Sequence, residues 1–206
     1  MLKAAETGNP YACNRVGNIY LSYHEDKKAF EFFKKGVEMT GDPYAKVNLL
    51  ECYENGLGTE RNPEKVFEIS KDLAVDFDTY YLGHCYEMGI GVGRDYLMAA
   101  KMYSRTSHVL ALEHLARFYE TGRAVEKDLF KAFDLYTKSD TPYSHYRLGK
   151  MYERGQGCSK DSYKAIAHYQ RACERGSQKG CEAYSHSKKK GIYSNSIDFH
   201  GLFEVP

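Results

Sequence analysis

The sequence predicts an all-α protein built as a stacked array of antiparallel helix pairs, and three recurring observations predict it. Tyrosine returns every 33 residues, at Tyr20, Tyr53, Tyr86, Tyr119 and Tyr152. Four of these are followed three places later by glycine, at Gly56, Gly89, Gly122 and Gly155. Asn62, Asp95, Asp128 and Asp161 then stand nine places after the tyrosine, and Val66, Ala99, Ala132 and Ala165 thirteen places after it. A fixed period of this length marks repeat units that bury their apolar faces only by stacking on their neighbours.

Each unit begins with a helix A. Four places before the tyrosine stand Val16, Leu49, Leu82, Leu115 and Leu148; one place before it stand Ile19, Cys52, Cys85, Phe118 and Met151. Nine places before it come Tyr11, Tyr44, Phe77, Leu110 and Tyr143. These spacings put the apolar residues on one broad helical stripe. Gly17, Leu50, Gly83, Ala116 and Gly149, three places before the tyrosine, are mostly small and predict a close helix approach. The glycine at plus three suits the left-handed residue that ends a helix. Asn or Asp at plus nine then caps a helix B, since its side-chain oxygen accepts an orphan backbone N–H, and Pro63 fits the first helical position.

The first unit departs from this spacing. Ala29 follows Tyr20 by nine residues instead of thirteen, and Tyr53 follows Ala29 by 24 instead of 20. The four displaced residues are expected in the inter-unit turn Thr40–Pro43, and Tyr23 stands where the loop glycine belongs. Lys3–Cys13 matches Arg171–Cys181, the end of one helix B and the start of the next helix A. The chain is therefore expected to begin inside a helix B, with a longer natural protein or a partner covering that edge. After a last helix A, the stretch 188–206 loses the period and reads as a tail docking through Phe199, Leu202, Phe203 and Val205.

Bulk properties narrow the function. The 206 residues carry 29 Lys plus Arg against 28 Asp plus Glu, a net charge of +1, which argues against a nucleic-acid partner. No apolar run reaches bilayer-spanning length, and MLKAAETGNP lacks the apolar stretch of a secretory signal. A cytoplasmic site is expected, with a secreted or periplasmic one the alternative if a leader is missing. Most of the six cysteines read as reduced core residues. Cys52 and Cys85 share one phase, and packed neighbouring helices stand about 8–10 Å apart, too far for a bridge between them.

No cofactor or metal motif stands out. Gly89-Ile90-Gly91-Val92-Gly93 follows a helix and not a strand, so it reads as a repeat turn and not a phosphate loop. The eight histidines form no HExxH, and no CxxC occurs. Cys158, with His145 or His168 near it in sequence, is the one candidate nucleophile, and a non-catalytic protein is expected.

Leu82-Gly83-His84-Cys85-Tyr86-Glu87-Met88-Gly89-Ile90-Gly91 and Leu148-Gly149-Lys150-Met151-Tyr152-Glu153-Arg154-Gly155-Gln156-Gly157, each followed by Asp and then Ala in helix B, resemble the Sel-1-like repeat family. These are relatives of tetratricopeptide repeats with a longer A–B loop. The resemblance covers about Lys3 to Ser187. It implies a right-handed α-solenoid over 1–187 with about five repeats. These comprise a half repeat over 1–9, repeats near 10–42, 43–76, 77–108, 109–141 and 142–177, and a capping helix over 178–187, ahead of the irregular tail 188–206. Leu50 and Ala116 depart from the family glycine, and Ala124 replaces the second loop glycine. Secreted, cysteine-rich members carry Ala-Cys followed by Gly-Cys in each unit. Here only Ala172-Cys173 and Gly180-Cys181 match, a pair able to bridge helix B to the next helix A.

The resemblance implies an interaction scaffold or adaptor that holds a protein or peptide on a concave face lined by helix A. The groove phases are nine, six and two before the tyrosine and one after it. They give Glu51, Glu54, Tyr80, His84, Glu87, Glu113, Arg117, Glu120, Tyr146, Lys150 and Glu153, with Asn14, Asn18, Leu21 and Val47 in the first units. The glutamates either face a cationic peptide or pair with the Arg117 and Lys150 row. Tyr80, His84 and Tyr146 are the expected anchors, because aromatic residues dominate interface hot spots. A regulatory or substrate-docking region of a larger enzyme is the alternative, a cysteine-rich hydrolase the more distant one, and a repeat end offers a homodimer surface.

Overall fold

The computed structural model describes residues 9–189. They form eleven α-helices and, among the described residues, no strand. In chain order these are α1 (Pro10–Ser22), α2 (Asp26–Thr40), α3 (Pro43–Asn55), α4 (Pro63–Asp76), α5 (Tyr80–Met88), α6 (Tyr96–Tyr103), α7 (Val109–Thr121), α8 (Leu129–Ser139), α9 (Pro142–Arg154), α10 (Ser162–Glu174) and α11 (Gln178–Lys189). Odd-numbered helices are helix A and even-numbered ones helix B, giving five pairs and one further helix A. The expected half repeat at the start and the tail residues Phe199, Leu202, Phe203 and Val205 lie outside the described residues.

The boundaries follow from local chemistry. Asn9, Asp42, Asn62, Asp95, Asp128 and Asp161 each accept a hydrogen bond from the backbone N–H three residues on. Thr141 and Ser144 form a reciprocal capping box at α9. Gly56, Gly89, Gly122 and Gly155 take the left-handed conformation after helix A, with φ between 67° and 77°. The backbone N–H of each helix-B cap, Asn62, Asp95, Asp128 and Asp161, also donates to the carbonyl of its unit's marker tyrosine, as in Asn62 to Tyr53 at 3.0 Å and Asp161 to Tyr152 at 3.0 Å. The tyrosine backbone therefore ties the loop between its two helices closed. Its ring does separate work: Tyr53, Tyr86 and Tyr152 meet Phe30, Phe67 and Phe133 edge to face, each from the preceding helix B.

The first unit differs from expectation. Its extra residues do not lengthen the turn before the second unit; only Gly41 and Asp42 separate α2 from α3, and α2 runs to 15 residues. The added residues continue an amphipathic helix because Ala29, Phe30, Phe33 and Gly36 all find burial along it. The left-handed residue in the short α1–α2 loop is His24 (φ 58°), one place beyond Tyr23.

The small residue three places before the tyrosine permits the expected close approach, and a ring is what comes nearest. A Cβ at Gly17 would lie 2.4 Å from the Phe33 ring, at Gly83 2.7 Å from Tyr103, and at Gly149 2.5 Å from Tyr169. Each ring belongs to the unit's own helix B, four residues after its conserved-phase alanine. The glycine is a socket for that ring. Leu50 breaks the pattern because its unit has Ser70 at the ring position, and both residues are buried. Volume is exchanged across the pair, a large-small set for a small-large one. Ala116 facing Tyr136 completes the series, and both are fully buried.

The helices form two compact units, one running up to Ala111 with Arg123–Val125, the other comprising Leu112–Gly122 and the chain from Glu126. In the first, α1 to α6 pack in sequence order, around clusters led by Phe33, Leu49 and Cys52 and by Leu50, Val66, Leu73 and Cys85. In the second, Ala116, Ala132, Tyr136, Leu148 and Met151 form the core, and α11 packs on α10 and α9. Where earlier helices A carry Val or Leu, a mostly small residue and the marker tyrosine, α11 carries Tyr184, Ser185 and Lys188 on the alignment that sets Gly180 against Ala172.

Candidate partner-binding faces

The recurring glutamate after the marker tyrosine has an internal partner in three units. Tyr103 donates to Glu87 at 2.8 Å, Tyr136 to Glu120 at 2.9 Å and Tyr169 to Glu153 at 3.0 Å. Glu87 is only 4% exposed. Burial, then the neighbouring carboxylate, pushes the Tyr136 and Tyr169 hydroxyls far above the ordinary phenol range, so they remain donors at any physiological pH. The glutamate row thus belongs in part to the framework: a charge-assisted bond fixes helix B against helix A in these three pairs. The tyrosine on helix B sits outside the groove phases, and its 17-residue offset from the marker tyrosine is the sequence signal that identifies it.

In the first compact unit the second pair has Ser70 in place of that tyrosine. Ser70 donates to the Phe67 carbonyl at 2.8 Å and receives the Cys85 thiol at 3.4 Å, so Glu54 is left to the helix-A face. Glu54 lies 3.7 Å from His84 Nε2. Burial, then the charge of Glu54, raises the Glu51 carboxyl above its usual range. Tyr80 stacks on His108 at 4.3 Å and 7° and on His84 at 6.1 Å. The structure therefore brings Glu51, Glu54, Tyr80 and His84 into one patch and leaves Glu87 buried beneath it. His108 was not among the expected residues; it lies in an inter-unit turn whose length varies, where phase carries no signal. Beside the patch, Asn48 donates to Asn14 at 2.7 Å and more weakly to Asn18.

In the second compact unit the expected residues are more heavily engaged. Glu113 takes a hydrogen bond from Thr141, and Arg117 contacts His114 at 3.1 Å. Glu120 is shared between Tyr136 and Arg147, a residue outside the groove phases. Tyr146 packs against Tyr169, with the Lys150 ammonium over its ring at 5.8 Å. Tyr146, Lys150 and Glu153 open onto a cleft closed on the other side by Lys179, Glu182 and His186 of α11.

The remaining polar groups have local explanations. His145 and His168 hydrogen-bond through their Nδ1 atoms at 3.0 Å, not to Cys158. His145 Nε2 is 2.8 Å from an Asp140 carboxylate oxygen, off the axis of a good hydrogen bond, and Arg175 reaches the other oxygen at 3.2 Å. Burial above all, then His145 and nearby cations, lowers His168 to about 4. Cys158 packs beside the Tyr136 core, and burial raises its thiol, the opposite of what a nucleophile needs. Cys52, raised to about 11 by burial and then Glu51, and Cys85 are separate buried thiols. Cys173 and Cys181 form a disulfide with Cα atoms 4.4 Å apart, joining α10 to α11. Among the described residues no group of three or more His, Cys, Asp or Glu could hold a metal ion, and no helix is long and apolar enough to cross a membrane.

A Sel1 repeat family model matches residues 10–40, 44–65, 79–107, 109–139 and 142–177. The chain belongs to the Sel1 repeat family. Its all-helical solenoid of about five repeats has solved counterparts. One is a protective antigen present in uropathogenic Escherichia coli strains displaying an SLR fold (TM-score 0.74, 26% identity, 92% of this chain and 43% of that one). Another is a Sel1 repeat protein from Oxalobacter formigenes (TM-score 0.76, 26% identity, 89% of this chain and 57% of that one). A Klebsiella pneumoniae putative Sel1 repeat protein shares the fold at 20% identity and TM-score 0.55, over 89% of this chain and 95% of that one. This chain spans about half the length of the first two. No curated protein matches it. Sel1 repeats generally mediate protein–protein contacts.

Proposed function

We propose that this Sel1 repeat chain is a non-catalytic interaction module that holds a peptide or protein segment on its helix-A faces. The supporting observation is how its side chains divide. The apolar phases of helix A are largely spent on packing. Tyr80 and His84 in one compact unit, and Tyr146 and Lys150 in the other, stay half-buried at the groove phases. Such residues present rigid aromatic area with a polar edge, the composition of interface hot spots. Glu87 is assigned to the framework because its carboxylate lies beneath this surface, held by Tyr103.

The test is affinity capture with the wild-type chain beside a Tyr80→Ala/His84→Ala/Tyr146→Ala variant, read by mass spectrometry, with partners confirmed by direct titration. Partners should be lost from the variant while its helical circular dichroism is unchanged. Undiminished binding by a folded variant would remove these faces from the reading. Turnover of a substrate by the purified chain would remove its non-catalytic part.

A further inference from the structure

We propose that the α3–α5 face takes a basic peptide, one Lys or Arg of which is received by Glu51 and Glu54 while Tyr80 and His84 pack against its aliphatic stem. This deepens, and rests on, the interaction reading above. The argument begins from an exception to a rule of the array. Where helix B supplies a tyrosine, the glutamate after the marker tyrosine is held by it, as in Glu87, Glu120 and Glu153. Only where Ser70 replaces the tyrosine does the glutamate lose that bond. Leu50 stands where the other units carry a small residue, and it and Ser70 are both buried, so a large-small pair replaces a small-large one within the core.

The released Glu54 lies one helical turn from Glu51, in a chain whose net charge is +1. Among the described residues neither carboxylate has a Lys or Arg within 4.0 Å, whereas Glu120 on the corresponding phase has Arg147. Two adjacent like charges that no described Lys or Arg neutralises favour a cation from outside. Next to them, the stacked rings of His84, Tyr80 and His108 present a π-surface, which suits a guanidinium or the methylene stem of a lysine. Charge complementarity and aromatic area thus coincide on one face, and the occupant that satisfies both is a basic peptide.

The experiment pans a phage-displayed library of random linear peptides against the full chain and measures affinities of the selected peptides by fluorescence anisotropy. Two variants test the origin of the site. Glu51→Gln/Glu54→Gln removes the charge at constant shape. Leu50→Gly/Ser70→Tyr rebuilds the tyrosine–glutamate bond and withdraws Glu54 with the charge intact. Selected peptides should be enriched in Lys or Arg, bind about tenfold or more weakly to both variants, and lose affinity with salt. Should the core exchange not fold by circular dichroism, the glutamine pair alone decides. Peptides that bind but lack basic residues, or that ignore the glutamine pair, overturn this inference and leave the interaction reading standing. Recovery of no binding peptide at all overturns both.

Discussion

At His145 and His168 two imidazoles meet nitrogen to nitrogen, and hydrogen-bond arithmetic limits the protons they hold. The 3.0 Å contact needs a proton on one Nδ1 and a lone pair on the other. With Asp140 beside His145 Nε2, the consistent assignment has His168 as donor. A doubly protonated pair would set two N–H groups against each other, with Arg171, Arg175 and Lys164 adding repulsion. Both histidines are lowered from the ordinary value, so the native state binds fewer protons than the unfolded chain in acid. Their contribution is complete above about pH 6.5 and declines as pH falls toward about 4, where His168 charges. The shift at His168 amounts to about 3 kcal/mol at most. Urea midpoints at pH 7.5 and 5 should separate accordingly, and His168→Gln, which can donate but not titrate, should shrink the separation. An unchanged separation in that variant would refute the assignment. Ala124 offers a second test at this scale. It sits at φ 64° where the other loops place Gly58, Gly91 and Gly157, and a left-handed non-glycine residue costs about 1–2 kcal/mol. Ala124→Gly should raise the melting temperature, with a net gain of up to about 1 kcal/mol once the freer unfolded chain is counted.

Between paired helices, the decisive unit is the socket and the ring that fills it. Gly149→Ala would drive a methyl into Tyr169 and should cost about 1–3 kcal/mol, as overpacking does. The pair of Leu50 and Ser70 should behave as one object. Leu50→Gly alone leaves a cavity, and Ser70→Tyr alone forces a ring into a filled space. Together they should recover at least about 1 kcal/mol relative to the sum of the single changes, a coupling expected only of side chains in contact. Thermal denaturation of the four proteins in a double-mutant cycle measures it, and additive effects would show that the exchange is coincidental. With Ser70 in place of the tyrosine, Glu54 lacks the bond from helix B that Glu87, Glu120 and Glu153 receive.

Across a whole repeat array, stability is close to a sum of unit and neighbour terms, so an element with packed partners on one side alone, as α11 has among the described residues, is the first to loosen. The Cys173–Cys181 bridge counters this for α11 by closing a short loop onto α10. Opening it should cost roughly 2 kcal/mol by loop-closure entropy. Hydrogen exchange is expected to accelerate in α11 before α8 or α9 when a reductant is added, and uniform acceleration would count against a local staple. Burial and a raised thiol pKa predict that Cys52 and Cys85 react slowly with Ellman's reagent in the folded chain.

The sequence by itself determined the array: its period, the helix caps, the glycine ends of helix A and the family. Each is local, set by one residue's hydrogen bonding or backbone freedom, and therefore repeats visibly along the chain. It also pointed to Cys173 with Cys181, through spacing shared with cysteine-rich relatives. Tertiary structure alone decided what the phases face. Glu54, Glu87, Glu120 and Glu153 are identical in phase, yet Glu87 is buried under a tyrosine and Glu54 is released to the surface. That fate depends on a residue 16 positions away, Ser70 or Tyr103, on the other helix of the pair. The length of α2 was decided the same way, because whether displaced residues form a turn or extend a helix depends on the apolar contacts awaiting them. Periodicity identifies positions that are equivalent along the chain; only packing determines whether equivalent positions have equivalent neighbours.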